Sequence, residues 1–175
     1  MLKKNSILKF EIISTIFIII LGILLHFTFE WSNNNVLVGT FSPVNESVWE
    51  HLKLLFFPML ISTIILYFYA RKNISNYLCA KVIGIIFAIS FTIIFFYTYT
   101  GIIGTNFAII DIGSFFVAVI LGQYVAYQKM QSKFSCNNVI PIIILLILYL
   151  SFLIFTFFPP RIGLFKDPIT GMFGI

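Results

Sequence analysis

Polar and apolar residues fall in long blocks along this chain, not in the short alternation of strands. Five apolar runs cover residues 10–29, 52–70, 82–100, 107–127 and 139–158. Each holds about 20 residues, the length that crosses ~30 Å of hydrocarbon as a helix rising 1.5 Å per residue. Backbone inside lipid must satisfy its own hydrogen bonds, and the runs are too long and continuous for barrel strands. The pattern predicts an all-α polytopic membrane protein with five transmembrane helices in a single integral domain over residues 1–175. An outer loop at 30–51 and an outer tail at 159–175 are the parts large enough to hold structure of their own.

Composition strengthens this reading. The chain is 60% hydrophobic and 10% charged, with a mean hydropathy of +1.05, and a soluble core of this size has no room for so much Ile, Leu and Phe. The net charge of +5 does not indicate nucleic acid, because the basic residues are split among short connections and form no single stripe. Their placement sets an orientation. With the N-terminus inside, Lys3, Lys4, Lys9, Arg71, Lys72, Lys81, Lys129 and Lys133 are cytoplasmic, while Lys53, Arg161 and Lys166 are outside. Positive-inside bias therefore predicts N-in and C-out. Bulky residues His26 to Trp31 follow the first run, so it is expected to remain as an uncleaved helix. Cys79 and Cys136 fall on the cytoplasmic side, where no disulfide is expected. Tyr97, Tyr99 and Trp31 at one boundary, with Tyr67, Tyr69, Tyr124 and Tyr127 at the other, read as interfacial belts.

Small residues predict how the helices pack, since membrane bundles rely on them for close backbone approach. Ser114, Ala118, Gly122 and Ala126 recur every four residues in the fourth run, and Ala80, Gly84, Ala88 and Thr92 in the third. In the first run Ser14, Gly22, His26 and Glu30 share a stripe. His26 and Asp111 continue such stripes near the outer ends of their helices, so both are expected to face the bundle. The bland alternatives are a histidine bonded to a nearby carbonyl and a first-turn acid favoured by the helix dipole.

The densest polar stretch is Ser42-Pro43-Val44-Asn45-Glu46-Ser47-Val48-Trp49-Glu50-His51-Leu52-Lys53. Ser42 before Pro43 reads as a helix cap; Asn45 or Ser47 could cap instead, and Ser47 with Glu50 fits a capping box. Continuous helix would put Glu46, Glu50 and Lys53 on one face and Ser47 with His51 on the next. Pro58 then interrupts the second run and should free a carbonyl near Leu54. Carboxylates beside imidazoles ligate divalent cations or exchange protons. The metal candidates are His26, Glu46, His51 and Asp111, and the acid/base candidates Glu46, Glu50, His51 and Asp111. Binding candidates add Asn45, Lys53 and Asp167. The spacing does not match the His-Glu-x-x-His of zinc proteases, and a capped interfacial turn with Lys53 reaching out to water explains the same residues.

The tail has turn chemistry at Pro159-Pro160, Asp167-Pro168 and Thr170-Gly171. Its Leu164, Phe165, Ile169, Met172 and Phe173 are too apolar for a free end, so it is expected to fold back over the outer mouth. The stretch Ser42–Lys53, together with Pro159-Pro160 and Leu164-Phe165-Lys166-Asp167-Pro168-Ile169-Thr170-Gly171, resembles a family of small bacterial integral membrane proteins of unknown function. The resemblance covers almost the whole chain. It implies the membrane class and carries no activity, substrate or cofactor.

The functional expectation is a multi-pass protein of the cell membrane with a polar site at its extracytoplasmic face. Its role would be binding, transport or accessory, with lipid headgroups, an ion or a partner membrane protein as ligand. The alternative is an intramembrane metal-assisted or acid/base hydrolase or transferase acting on a lipid-linked or envelope substrate. A divalent metal is the cofactor these residue types would take.

Overall fold

A computed structural model describes residues 4–70, 73–134 and 136–175. Lys3, Arg71 and Lys72, three of the charges counted for orientation, lie outside them. Among the described residues the chain is helical: α1 (Lys4–Trp31), α2 (Val36–Gly39), α3 (Val48–His51), α4 (Lys53–Ala70), α5 (Tyr77–Ile103), α6 (Ala108–Gln131) and α7 (Val139–Phe157), followed by a short 3-10 turn, Gly163–Phe165. Five helices are long and apolar enough to cross a membrane, with α3 and α4 counting as one span. They overrun the predicted 10–29 and 82–100 segments because flanking residues, polar and apolar alike, continue the helices instead of ending them.

Successive spans alternate in direction, so the bundle has two distinct ends. One carries the loop after α1, the α5–α6 connection and the tail; it is called here the motif end. The other carries the start of α1 and both cysteines. α4 is the most buried span and packs against α1 and α5, while α5 and α6 form the most extensive pair. Leu55, Phe56 and Met59 of α4 meet Ile18 of α1, Ile85 of α5, Val119 of α6 and Phe152 of α7 in one core. The outward faces of α1 and α7 expose Ile, Leu and Phe, which lipid solvates and water does not.

The small-residue stripes lie where backbones meet. Ala80, Gly84, Ala88, Ser114, Gly122 and Ala126 are all buried. A Cβ added at Gly122 would sit 2.8 Å from Gly84 O and 2.9 Å from Ala88 Cβ. Pro58 has no N–H to offer Leu54 O. Gly22 of α1 lies against that carbonyl, since a Cβ there would fall 2.8 Å from it.

Two expectations about charge and sulfur are corrected. Lys81 is not an interfacial topology charge. It is buried and donates to Glu11 Oε2 (2.7 Å) and Gln123 Oε1 (2.8 Å), an ion pair that ties α1, α5 and α6 together. Intramembrane charges are expensive alone and so pair. The expected free thiols are overturned as well: Cys79 and Cys136 form a disulfide, with Cα atoms 6.3 Å apart. It joins the start of α5 to the segment before α7 at the lysine-rich end. There Asn76 also donates to Lys129 O and Ser132 O (2.9 and 3.0 Å), which brings the two connections side by side.

Candidate metal centre

The polar motif divides into two separate constructions, and the division follows from where its helix begins. Ser47 caps α3, its hydroxyl accepting from Glu50 N at 3.3 Å. Glu46 therefore precedes the helix. The expected shared face of Glu46, Glu50 and Lys53 does not form, because only the last two are helical.

Glu50 and Lys53 turn into the protein as a latch. Lys53 is fully buried and does not reach out to water. Its ammonium donates to Glu50 Oε2 (2.6 Å), Gly39 O (2.7 Å) and Ser42 O (3.2 Å). Glu50 Oε2 also accepts from Val44 N at 3.1 Å, and the Thr156 hydroxyl of α7 lies 3.3 Å from Oε1. Ser42 donates to Leu25 O of α1 at 2.7 Å. The latch thus fastens the loop to α1, α4 and α7. Asn45 fastens the tail, donating to Gly174 O at 3.0 Å. Phe165 of the tail packs on Trp49 with ring centroids 4.9 Å apart, so the tail does fold back on the motif.

Glu46 and His51 face the other way, toward His26 of α1. His51 Nε2 lies 3.4 Å from Glu46 Oε2, and the rings of His26 and His51 are 5.4 Å apart. One ligand atom from each of His26, Glu46 and His51 can be chosen so that all three lie within 4.8 Å of one another. The tautomer of His51 follows from its neighbour. Its Nδ1 is 3.0 Å from Ser47 O, a carbonyl that only accepts, so Nδ1 carries a proton; Nε2 faces the Glu46 carboxylate, donates to it when the ring is protonated, and must shed that proton before it can bind a metal. A carbonyl on Nδ1 is how second-shell groups prepare metal-binding imidazoles. His26 Nδ1 is buried with no hydrogen-bond partner among the described residues, a costly state for a polar atom. The His51 hydrogen bond holds the Glu46 carboxyl below the usual carboxylate range, against the opposing effect of partial burial. Glu46 is therefore an anion at neutral pH. Glu30 and Asp111 act at longer range on His26 and His51 respectively.

Two predicted members are occupied elsewhere. Asp111, in the first turn of α6, bonds the Tyr99 hydroxyl and accepts from Asn106 Nδ2 at 3.2 Å. Asp167 is buried in its own turn, accepting from Ile169 N (2.8 Å) and the Thr170 hydroxyl (2.7 Å). The sequence reading assigned Tyr99 to the interfacial belt and overlooked Glu11 and Gln123. Their location inside apolar runs was the available signal, because polar groups there seek partners.

The model of a family of unknown function, DUF6512, matches residues 1–175. The chain belongs to this family. No curated protein and no solved structure matches it. Membership assigns no chemistry, so the geometry of the motif end must carry the functional argument.

Proposed function

We propose that this membrane protein binds a divalent cation at its motif end through His26, Glu46 and His51, in a binding, transport or accessory role. The observation that carries the reading is the convergence of three ligand atoms within 4.8 Å, two imidazoles and one carboxylate. Two neutral imidazoles and a carboxylate suit zinc and similar ions. Ligand atoms around a tetrahedral zinc lie about 3.4 Å apart, given bonds of ~2.0–2.1 Å. The His51–Glu46 pair already has that spacing, so closure requires a shift of at most about 1.4 Å by His26. The proposed orientation is N-in and C-out, which places the site outside the cytoplasm. Lys81 and Lys53 are both buried in ion pairs. Leaving them out changes the Lys and Arg balance to seven inside against two outside, so the bias is not weakened.

Metal-assisted hydrolysis or transfer on a lipid-linked substrate is the second reading. It is favoured by the ligand count. Three protein ligands leave a fourth position for water or substrate, and the Glu46 and His51 side chains are 45% and 33% exposed. Metal analysis of protein purified without chelator tests the main proposal. About one bound transition-metal ion per chain is expected by tetrahedral-site stoichiometry, with His26→Ala and His51→Ala each abolishing it. Metal-free protein that also fails to take up Zn²⁺ in equilibrium dialysis would sink the proposal.

A further inference from the structure

The tail and α5 enclose a second site that the metal proposal does not use. A cavity of about 430 Å³, open on one side, lies between the tail and the last third of α5. Phe96, Tyr97 and Ile169 give it apolar walls, and Lys166 supplies the charge in its lining. No carboxylate lines it, because neighbouring Asp167 is buried in its turn. The other polar groups of the turn are engaged. Thr170 donates to Asp167, and Gly171 N donates to Asp167 O at 2.9 Å. Two donors in the lining have no hydrogen-bond partner among the described residues, the Lys166 ammonium and the Tyr97 hydroxyl. Gly163 leaves room beside that hydroxyl, since a Cβ there would still be 3.7 Å away.

The cavity joins the tail to a membrane-spanning helix. Lys166 belongs to the tail, outside the spans. Tyr97 sits within α5, six residues before its end at Ile103, with its hydroxyl beside Gly163 of the tail. A cation and an unpartnered hydroxyl beside apolar walls match an amphiphile and not a small soluble ion. We infer that this cavity holds one anionic phospholipid, its phosphate on Lys166 and the Tyr97 hydroxyl and its acyl chain along Phe96 and Ile169. At about 430 Å³ the cavity takes the headgroup and the first part of one acyl chain, and its open side leaves the rest of the lipid in the bilayer. Basic groups at the interface draw anionic headgroups. The inference stands whether or not the histidine cluster binds metal.

Native mass spectrometry of delipidated protein titrated with phosphatidylglycerol or phosphatidylcholine tests it. Wild-type protein is expected to retain one phosphatidylglycerol with at least ~10-fold preference, equivalent to about 1.4 kcal/mol. Lys166→Glu should erase the preference, and Lys166→Gln should reduce it. Ile169→Asp should weaken both lipids. Glycerol phosphate in millimolar excess should displace neither. A preference unchanged in both Lys166 variants overturns the inference. So does displacement by glycerol phosphate, which would make the ligand a soluble phosphate ester. Lys166 is exposed, so its variants are expected to keep the wild-type thermal transition, and the Gln variant decides the matter if the Glu variant does not.

Discussion

Replacing Lys53 by Met separates the latch from the metal site and has a magnitude that follows from the contacts. Lys53→Met removes one ammonium and three donated hydrogen bonds, leaving Gly39 O, Ser42 O and the Glu50 carboxylate without it. The carboxylate is 2% exposed and keeps only Val44 N and the Thr156 hydroxyl as neighbours. Breaking a buried pair by removing one partner costs about 3–5 kcal/mol, because the remaining charge is uncompensated. Glu50→Gln in the same chain removes that charge, so the double variant should recover a large part of the loss. The coupling should exceed about 1 kcal/mol, as for groups in one buried network. His51→Ala, by contrast, truncates a partly exposed ring whose ion pair with Glu46 is worth at most about 1 kcal/mol. Reversible unfolding in mixed micelles gives the four corners of the cycle, and zinc binding on the same samples gives the functional column. Lys53→Met should lose stability, and at temperatures where it stays folded it should still bind zinc. His51→Ala should do the opposite. An additive cycle, or a Lys53→Met protein as stable as His51→Ala, would refute the partition of the motif.

The other predictions concern packing, pH and topology. Gly122→Ala must push α5 and α6 apart by roughly 0.6 Å to bring the 2.8 Å approach to Gly84 O up to ordinary contact, an overpacking cost of about 1–3 kcal/mol. Gly101→Ala, with nothing within 4 Å, should cost nothing, so equal melting temperatures for the two would contradict the stripe. Zinc affinity should fall at least about tenfold from about pH 7.5 to about pH 5, because both imidazoles must shed their protons to bind the metal. Isothermal titration at the two pH values that finds less than a tenfold change would exclude the two-histidine site. A reporter fused after Ile175 should read as extracytoplasmic. A cytoplasmic reading would reverse the orientation and put the Cys79–Cys136 disulfide on the oxidising side of the membrane, where such bonds ordinarily persist.

The sequence by itself determined the elements and much of the packing, because those depend on periodicities along one chain. Five apolar runs of about 20 residues admit one kind of solution in lipid. Small residues spaced by four on two of them announce where backbones approach, and Gly84, Ala88 and Gly122 lie at that contact. The motif was legible as polar and unusual, and the apolar residues of the tail foretold that it folds back. Tertiary structure decided which polar groups meet. The cap at Ser47 starts the helix at Val48, two residues after Glu46, and that single register frees Glu46 to meet His51 while Glu50 and Lys53 turn inward. Thr156, Gly39 and Ser42, distant in sequence, complete the latch, and His26 comes from α1 to complete the candidate site. The Glu11–Lys81–Gln123 group and the disulfide likewise join residues from three helices and the connection before α7. Helical spacing says which face a residue occupies and not which helix will cover that face. Only the three-dimensional packing of α1 against α4, and of α5 against α6, settles whether a charge is an interfacial anchor, a buried clamp or a ligand.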